Sequence, residues 1–323
     1  MSVDDVLESS VVGSFSRFGY RWRSRAWDTT LPRLQGQTAV VSGATSGIGL
    51  EAARQLAALG ARTLLVGRNQ DRLDHAVAEI EADSDGDVIG LRADLSSVAA
   101  VTDLAASIID TEPRVHILVN NASVLPAEKT MTDEGIELTL ATNLIATFVL
   151  TNRLIPRMVE SAPARIITVS SGGMYAVPLD VDGFEMNAEE FSGATMYART
   201  KRAQVVLTEM WAEQLAGTGV VAHAMHPGWV DTPGLKMSLP RFHTITKPFL
   251  RSVPEGADTI VYLAAAEPVA ETSGQFWHDR APRRTHRSEK TRTSEEEKDR
   301  LWAYLCGLSG DAGTVSRPCP QHQ

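Results

Sequence analysis

Tyr197 and Lys201 stand four positions apart in "YARTK" (197–201). On a helix, that spacing puts a phenol and an ammonium on one face. A phenol with its ordinary pKa near 10 is a poor base at neutral pH. A neighbouring cation favours the phenolate and lowers that value. Such a pair suits carbonyl–alcohol interconversion. Reduction needs a proton donor at the developing alkoxide, and oxidation needs a base for the alcohol proton.

Two more groups could join them. Ser171 closes the apolar run "IITVSS" (166–171) and can hold a substrate oxygen by a hydrogen bond. Asn143 sits inside a helical stretch, where asparagine is a mediocre helix former; it is read as holding a water that relays protons through Lys201. A second phenol, Tyr175, follows Ser171 by four residues, but four residues beyond it stands Leu179, which cannot favour a phenolate. Tyr175 is read either as a wall of the substrate cleft or as a packing residue. No G-x-S-x-G elbow surrounds Ser171, so a serine hydrolase is not indicated. His223 and His226 are read as structural, and no His, Asp or Glu cluster has metal-ligand spacing.

A glycine turn stands near the start. "VVSGATSGIGLEAA" carries Gly43, Gly47 and Gly49 between an apolar run and a helical stripe. Glycines there permit a tight turn and close approach of a diphosphate to the helix N-terminus, whose N–H groups are free. The spacing differs from the usual G-x-G-x-x-G fingerprint. The next apolar run ends in Arg68 and Asn69, and no acid occurs between Glu51 and Asp71. An acid would bind a ribose 2′-hydroxyl, whereas a guanidinium suits a 2′-phosphate. The cofactor expected is therefore NADP(H) rather than NAD(H). A solvated surface arginine is the plainer alternative for Arg68.

The elements that must position these groups alternate. Strands are expected at 38–42, 63–67, 87–93, 115–120, 165–170, 220–228 and 274–278. Helices are expected at 47–59, 70–82, 98–110, 134–160 and 197–217. Apolar strands alternating with helices mean a parallel sheet covered on both faces, a doubly wound α/β (Rossmann) fold. One domain is expected over 36–280, with an N-terminal extension (1–35) and a charged C-terminal tail (281–323).

These motifs, with "RADLSS" (92–97), "LVNNAS" (118–123), "ATNLIATF" (141–148) and "HPGWVDTPG" (226–234), resemble the short-chain dehydrogenase/reductase superfamily. Within it the chain is most similar to the retinol-dehydrogenase-like branch and its dehydrogenase/reductase member 12 group. The resemblance implies that Asn143, Ser171, Tyr197 and Lys201 form a catalytic tetrad. It implies that Gly43, Ser46, Gly47, Ile48 and Gly49 cradle the cofactor, with Tyr197 and Lys201 also touching it. Asp94 and Leu95 would meet the adenine, Asn121 the adenosine ribose, and Val230 and Thr232 the nicotinamide carboxamide. Ser42 and Ser123 depart from the family's usual threonine and glycine. The branch implies a lipophilic substrate. The segment 178–193, between Ser171 and Tyr197, is expected to lie beside the cleft and help choose it. Superfamily members pair through two long helices, here 134–160 and 197–217, which implies a dimer or tetramer. A non-catalytic NADP(H)-binding scaffold or redox sensor is the alternative of another class, and an acyl-thioester reductase a third.

Composition sets outer bounds. The chain has 323 residues, 43% of them hydrophobic, and a net charge of −9. That charge argues against nucleic acid as a partner. Two cysteines, Cys306 and Cys319, are too few for a disulfide framework or a cysteine-rich metal site. No secretory signal or transmembrane run is visible, so the cytoplasm is the expected location. The acid-free stretch "SFSRFGYRWRSRAW" (14–27) mixes arginines with aromatics. It is read either as a peripheral membrane contact or as packing against the domain or a partner subunit. Ser294 and Glu297 form a capping-box pattern ahead of a short tail helix over 294–306.

Overall fold

The computed structural model describes residues 4, 7–8, 10–84, 86–310 and 319; the remainder of the two expected extensions lies outside the described residues. Two short helices, α1 (Val11–Phe15) and α2 (Arg17–Arg23), precede the sheet. Strands β1 (Thr38–Ser42), β2 (Arg62–Gly67) and β3 (Val88–Arg92) then alternate with α3 (Gly47–Ala58) and α4 (Gln70–Asp83). α5 (Val98–Thr111) leads to β4 (Ile117–Asn120), α6 (Ala146–Glu160) to β5 (Ala164–Val169), and α7 (Gly193–Gln214) to β6 (Val220–Met225). The short helices α8 (Pro233–Ser238) and α9 (Pro240–Thr246) and the longer α10 (Val253–Ala265) follow. The chain closes with β7 (Phe276–His278), β8 (Ala281–Arg283) and α11 (Glu295–Ser309).

The eight strands form one sheet in the order β3-β2-β1-β4-β5-β6-β7-β8. All neighbours run parallel except β7 and β8. Strands β1, β4 and the body of β5 are buried, as continuous apolar runs in a sheet covered on both faces must be. The order reverses between β1 and β4. A crevice opens there at the strands' C-terminal ends, the usual ligand site of such sheets.

The expected helix over 134–160 is corrected. Residues 132–135 make a turn, with Gly135 at φ +75°, and Met131 bridges Glu137. The Glu137 carboxylate then accepts from Leu140 N (2.9 Å), so helix begins only beyond it. A π-helical turn, Leu140–Ile145, precedes α6 and contains Asn143. Periodicity does not reveal such a turn, because it shifts the register by one residue. The helix carrying Tyr197 starts earlier than expected, at Gly193, because Ser192 caps it by accepting from Thr195 N. The antiparallel β8 and the helices α8 and α9 had no counterpart in the expectation.

Both extensions pack onto the domain. α11 has the expected capping box, Ser294 with Glu297. Its Leu301, Trp302 and Leu305 join the cluster holding Phe148, Met210 and Trp211. Trp302 meets Phe148 edge-on at 5.0 Å, and Lys298 pairs with Glu213 at 3.0 Å. Part of the helical face expected to pair subunits is therefore covered by the chain itself. The two cysteines, too few for a framework, form one disulfide, Cys306–Cys319, with Cα atoms 5.5 Å apart. At the other end, Arg23 and Arg251 converge on the buried Asp279 (2.8 Å and 2.5 Å). Burial opposes its ionisation, but His278 and Arg251 beside it, with hydrogen bonds from Arg251 and Arg23, hold that carboxylate well below its usual pKa.

Replacing Trp302 by alanine should lower stability by about 3–5 kcal/mol, the usual cost of emptying a large aromatic site. Urea denaturation of the full chain checks it.

Candidate active site

Each functional side chain sits at or beyond the C-terminal end of a strand, where β1, β4 and β5 open toward the crevice. Ser42, the last residue of β1, accepts through its hydroxyl from the backbone N–H of Asn121 (2.9 Å) and of Ala122 (3.1 Å). It donates to Val119 O at 3.3 Å. The hydroxyl shared with the family's usual threonine thus closes the β1–β4 seam. The Asn121 amide donates to the carbonyls of Ser42 (2.9 Å) and Gly43 (3.2 Å), so it shapes the glycine turn.

Gly43 adopts φ +65°, and a Cβ there would lie 2.8 Å from Ala122 Cα. At Gly49 a side chain would run into the Asn121 amide and the Gly43 carbonyl. Both glycines let α3 approach the sheet end closely. Ser46 stands at the N-cap of α3 without a side-chain capping bond, and no acid lies in the first turn. The α3 N-terminus therefore presents N–H groups and a hydroxyl for an anion. Ile48 is only partly buried against its neighbours. A Cβ at Gly47 would stand 3.5 Å from the Thr232 methyl, so Thr232 faces the glycine turn. Val230 is buried and bridges Arg251.

Beyond β2, Arg68 is exposed and forms no salt bridge among the described residues. Asn69 accepts from Arg72 N (2.9 Å) as the cap of α4, so its carbonyl oxygen is committed to that helix. Asp94 Oδ1 accepts from Ser96 N (2.9 Å) and Ser96 Oγ (2.7 Å). Burial opposes ionisation of Asp94, but these bonds and the charge of Arg68 outweigh it and lower the pKa. Leu95 is buried beneath it. This donor set fits a nicotinamide dinucleotide: a glycine cradle that side chains would fill, a free helix terminus, and a guanidinium beyond β2.

The polar side is built by β5 and α7. Lys201 is 1% exposed, and its ammonium donates to Val169 O at 2.8 Å. It lies 5.4 Å from the centre of the Tyr197 ring. The two serines divide their work. Ser170 is buried and donates to Lys201 O (2.8 Å), while Ser171 hydrogen-bonds the Tyr197 hydroxyl. Ser123 reaches the same phenol oxygen. Sequence reasoning missed Ser123; its place in a glycine position of the motif was the available signal.

The electrostatics differ from the simple expectation. Burial pushes the Tyr197 phenol up, against hydrogen bonds from Ser171 and Ser123 that favour the phenolate. Burial also pushes Lys201 down to about 7. Burial is the largest influence on both groups, and it disfavours the charged form of each.

Asn143 is fully buried. Its side chain accepts from Val124 N (2.8 Å) and donates to Val124 O (3.0 Å), so both amide atoms hold the loop after β4. Its backbone carbonyl accepts from Gln204 Nε2 (2.5 Å) and Thr147 Oγ1 (2.9 Å). A π turn frees such carbonyls for side chains, as at many functional sites. Tyr175 resolves toward packing. Its hydroxyl donates to Arg284 O (2.7 Å), its ring meets Phe276 edge-on, and burial raises its pKa to about 12. In the segment 178–193, Leu179, Val181 and Phe184 are spent on the core, and Phe184 stacks on Tyr304 of α11. His223 is structural, accepting from Trp277 Nε1 at 3.1 Å. His226 does more: its Nδ1 accepts from Gly172 N (2.9 Å), fixing the turn beside Ser171. Burial, with His278 and Arg251 nearby, holds it neutral.

Fold and site together define a nicotinamide-dependent oxidoreductase of alcohols and carbonyls. The short chain dehydrogenase family model matches residues 37–241, and the chain belongs to that family. It is 37% identical to dehydrogenase/reductase SDR family member 12 of Bos taurus, over 90% of this chain and 92% of that protein. It is 33% identical to retinol dehydrogenase 12 of Homo sapiens, covering 86% and 88%. Among solved structures it resembles a 3-oxoacyl (acyl-carrier-protein) reductase of Agrobacterium tumefaciens with NADP bound. The TM-score is 0.63 at 28% identity, covering 76% of this chain and 93% of that one. The chain lies in the retinol-dehydrogenase-like branch and is an NAD(P)-dependent dehydrogenase acting on CH–OH groups. No helix among the described residues is long and apolar enough to cross a membrane.

Lys201 binds its proton less tightly folded than unfolded, since its pKa falls from 10.5 to about 7. Between those values the unfolded chain holds more protons, so this residue's destabilising effect is relieved as pH rises. Lys201→Met should accordingly be more stable than the wild type at pH 6. Its advantage should shrink by roughly 1.4 kcal/mol per pH unit above 7. Denaturation midpoints across pH 6–10 check the slope.

Proposed function

We propose that the chain uses NADP(H) to interconvert a carbonyl and an alcohol on a lipophilic substrate, with Tyr197 as acid/base. The observation that carries this reading is the convergence of the Ser171 hydroxyl on the Tyr197 phenol, with Lys201 buried behind the ring. The cofactor supplies or accepts the hydride. Gly43, Ser46, Gly47, Ile48 and Gly49 would hold its diphosphate, and Arg68 a 2′-phosphate. Asp94, Leu95, Asn121, Val230 and Thr232 line the remainder of its path.

The protein's part is proton handling and orientation. Ser171 holds the substrate oxygen against the Tyr197 hydroxyl. In reduction, Tyr197 Oη gives its proton to the developing alkoxide; in oxidation, the phenolate takes the alcohol proton. A phenol pushed up by burial is a weaker acid than free tyrosine, so the work falls on hydrogen bonds that favour the phenolate. Ser171 and Ser123 supply these. Asn143 acts as a positioning residue, holding the β4 loop that carries Ser123. The lipophilic class rests on the branch: similar relatives include proteins named retinol dehydrogenases.

Two outcomes test the proposal. Tyr197→Phe should lower turnover of apolar ketones or aldehydes by about 10²–10⁴-fold, the range of general acid–base catalysis, yet leave NADPH affinity unchanged in titration. Activity that survives removes Tyr197 from the role. Arg68→Ala should weaken NADPH about tenfold or more and leave NADH binding as it was, the cost of charge-assisted bonds to a 2′-phosphate. Equal loss for both cofactors refutes the phosphate assignment.

A further inference from the structure

Nine large apolar side chains are exposed among the described residues, and seven of them lie in two stretches remote in sequence. Val11, Val12, Phe18 and Trp22 belong to the N-terminal helices α1 and α2. Met237, Ile245 and Phe249 belong to the segment of α8, α9 and the turn after them. Phe18 and Phe249 meet edge-on at 6.0 Å, which makes the two stretches neighbours on one surface. Trp22 follows Phe18 by four positions on α2 and shares its face.

Charge is distributed the same way. No Asp or Glu occurs in residues 10–27 or 232–254, and each stretch carries four Lys or Arg, in a chain of net charge −9. Arg23 and Arg251 are buried against Asp279. The other six are Arg17, Arg21, Arg25, Lys236, Arg241 and Lys247, and all but the partly exposed Arg17 are exposed. Arg21 approaches Glu255 only loosely, at 3.6 Å, and is still 57% exposed. Asp231, at the border, is already bonded by His243 Nε2 at 2.8 Å.

We propose that this combined face docks on an anionic lipid bilayer. Aromatic and aliphatic side chains that insert at the headgroup level, ringed by cations, are the chemistry of a peripheral membrane contact. The side chains protrude singly: Met237 is 79% exposed, Ile245 75% and Phe18 57%. A bilayer accepts separate protrusions anywhere, whereas a protein partner needs a fitted pocket for each. The sequence offered residues 14–27 either as a membrane contact or as packing, and offered no second stretch. The fold adds a second stretch and spends part of the first elsewhere, since Phe15 is buried against His226 at 4.3 Å.

The location has a consequence for the active site. Thr232, which faces the glycine turn, caps α8 by accepting from Leu235 N at 3.1 Å. Phe15 stands against Gly172, next to Ser171. Docking would therefore bring the cleft margin to the bilayer, where a lipophilic substrate dissolves. This consequence rests on the proposed substrate class; the docking itself does not.

Sedimentation of the full chain with vesicles tests it directly. The chain should bind phosphatidylcholine vesicles containing roughly one-third phosphatidylserine, and bind pure phosphatidylcholine more weakly. Trp22→Ser with Ile245→Ser should cut the partition coefficient about tenfold or more. Arg241→Glu with Lys247→Glu should cut it about fivefold per residue at low salt, with the difference shrinking as salt is raised. These residues are exposed, so near-ultraviolet circular dichroism should stay unchanged, and so should turnover of a water-dispersed substrate. No sedimentation with anionic vesicles at low salt overturns the proposal. So does sedimentation that both double variants retain, since another surface is then responsible. A complex with a protein, or a second copy of this chain, that these variants abolish while vesicles never bind assigns the face to that partner instead. Failure of turnover with vesicle binding intact would count against the proposed reaction and leave the docking standing.

Discussion

A parallel sheet ends in a row of backbone groups that have no strand partner, and burial requires each of them to be paired. In this chain the side chains that do the pairing are those that build the site. Ser42 joins the ends of β1 and β4. Asn121 takes the carbonyls of the glycine turn, and Lys201 takes Val169 O at the end of β5. His226 receives the N–H of Gly172, just beyond Ser171. Terminating the strands and placing the proposed catalytic groups are one set of hydrogen bonds.

Burial has an electrostatic side. The same dry environment that holds Lys201 against Val169 O pushes its pKa down to about 7, and raises that of Tyr197. A lysine whose proton is loosened in this way is charged less of the time at neutral pH, and only its charged form favours the phenolate. Hydrogen bonds from Ser171 and Ser123 favour the phenolate directly. Ser123, standing at a glycine position of its motif, gains its significance from the phenol it reaches.

The two ends of the chain belong to the domain in different ways. α11 enters the main core through Trp302 and braces the segment between Ser171 and Tyr197 through Tyr304. The N-terminal helices are fastened by charge: Asp279 receives Arg23 from one side and Arg251 from the other. A buried carboxylate with two guanidinium partners is costly to break, since removing one group strands the others. That anchor leaves the outer faces of α2 and the α8–α9 segment exposed side by side.

The sequence by itself determined the alternation of strands and helices, the parallel sheet, the glycine turn and the pairing of Tyr197 with Lys201. These are local matters of apolar period, backbone permissiveness and a spacing of four on a helix. Motif order was enough to identify the family. Only the tertiary structure decided that Ser123 joins Ser171 at the phenol, that Asn143 lies in a π turn and spends its amide on Val124, and that Tyr175 packs under the tail. It also overruled the start of the helix at 134, where Gly135 and Glu137 form a turn and a cap instead. It paired the two cysteines, which spacing alone had left unassigned. Each of these depends on which distant residues share a surface, and on how burial reweights their charges. Neither quantity is contained in a spacing along the chain.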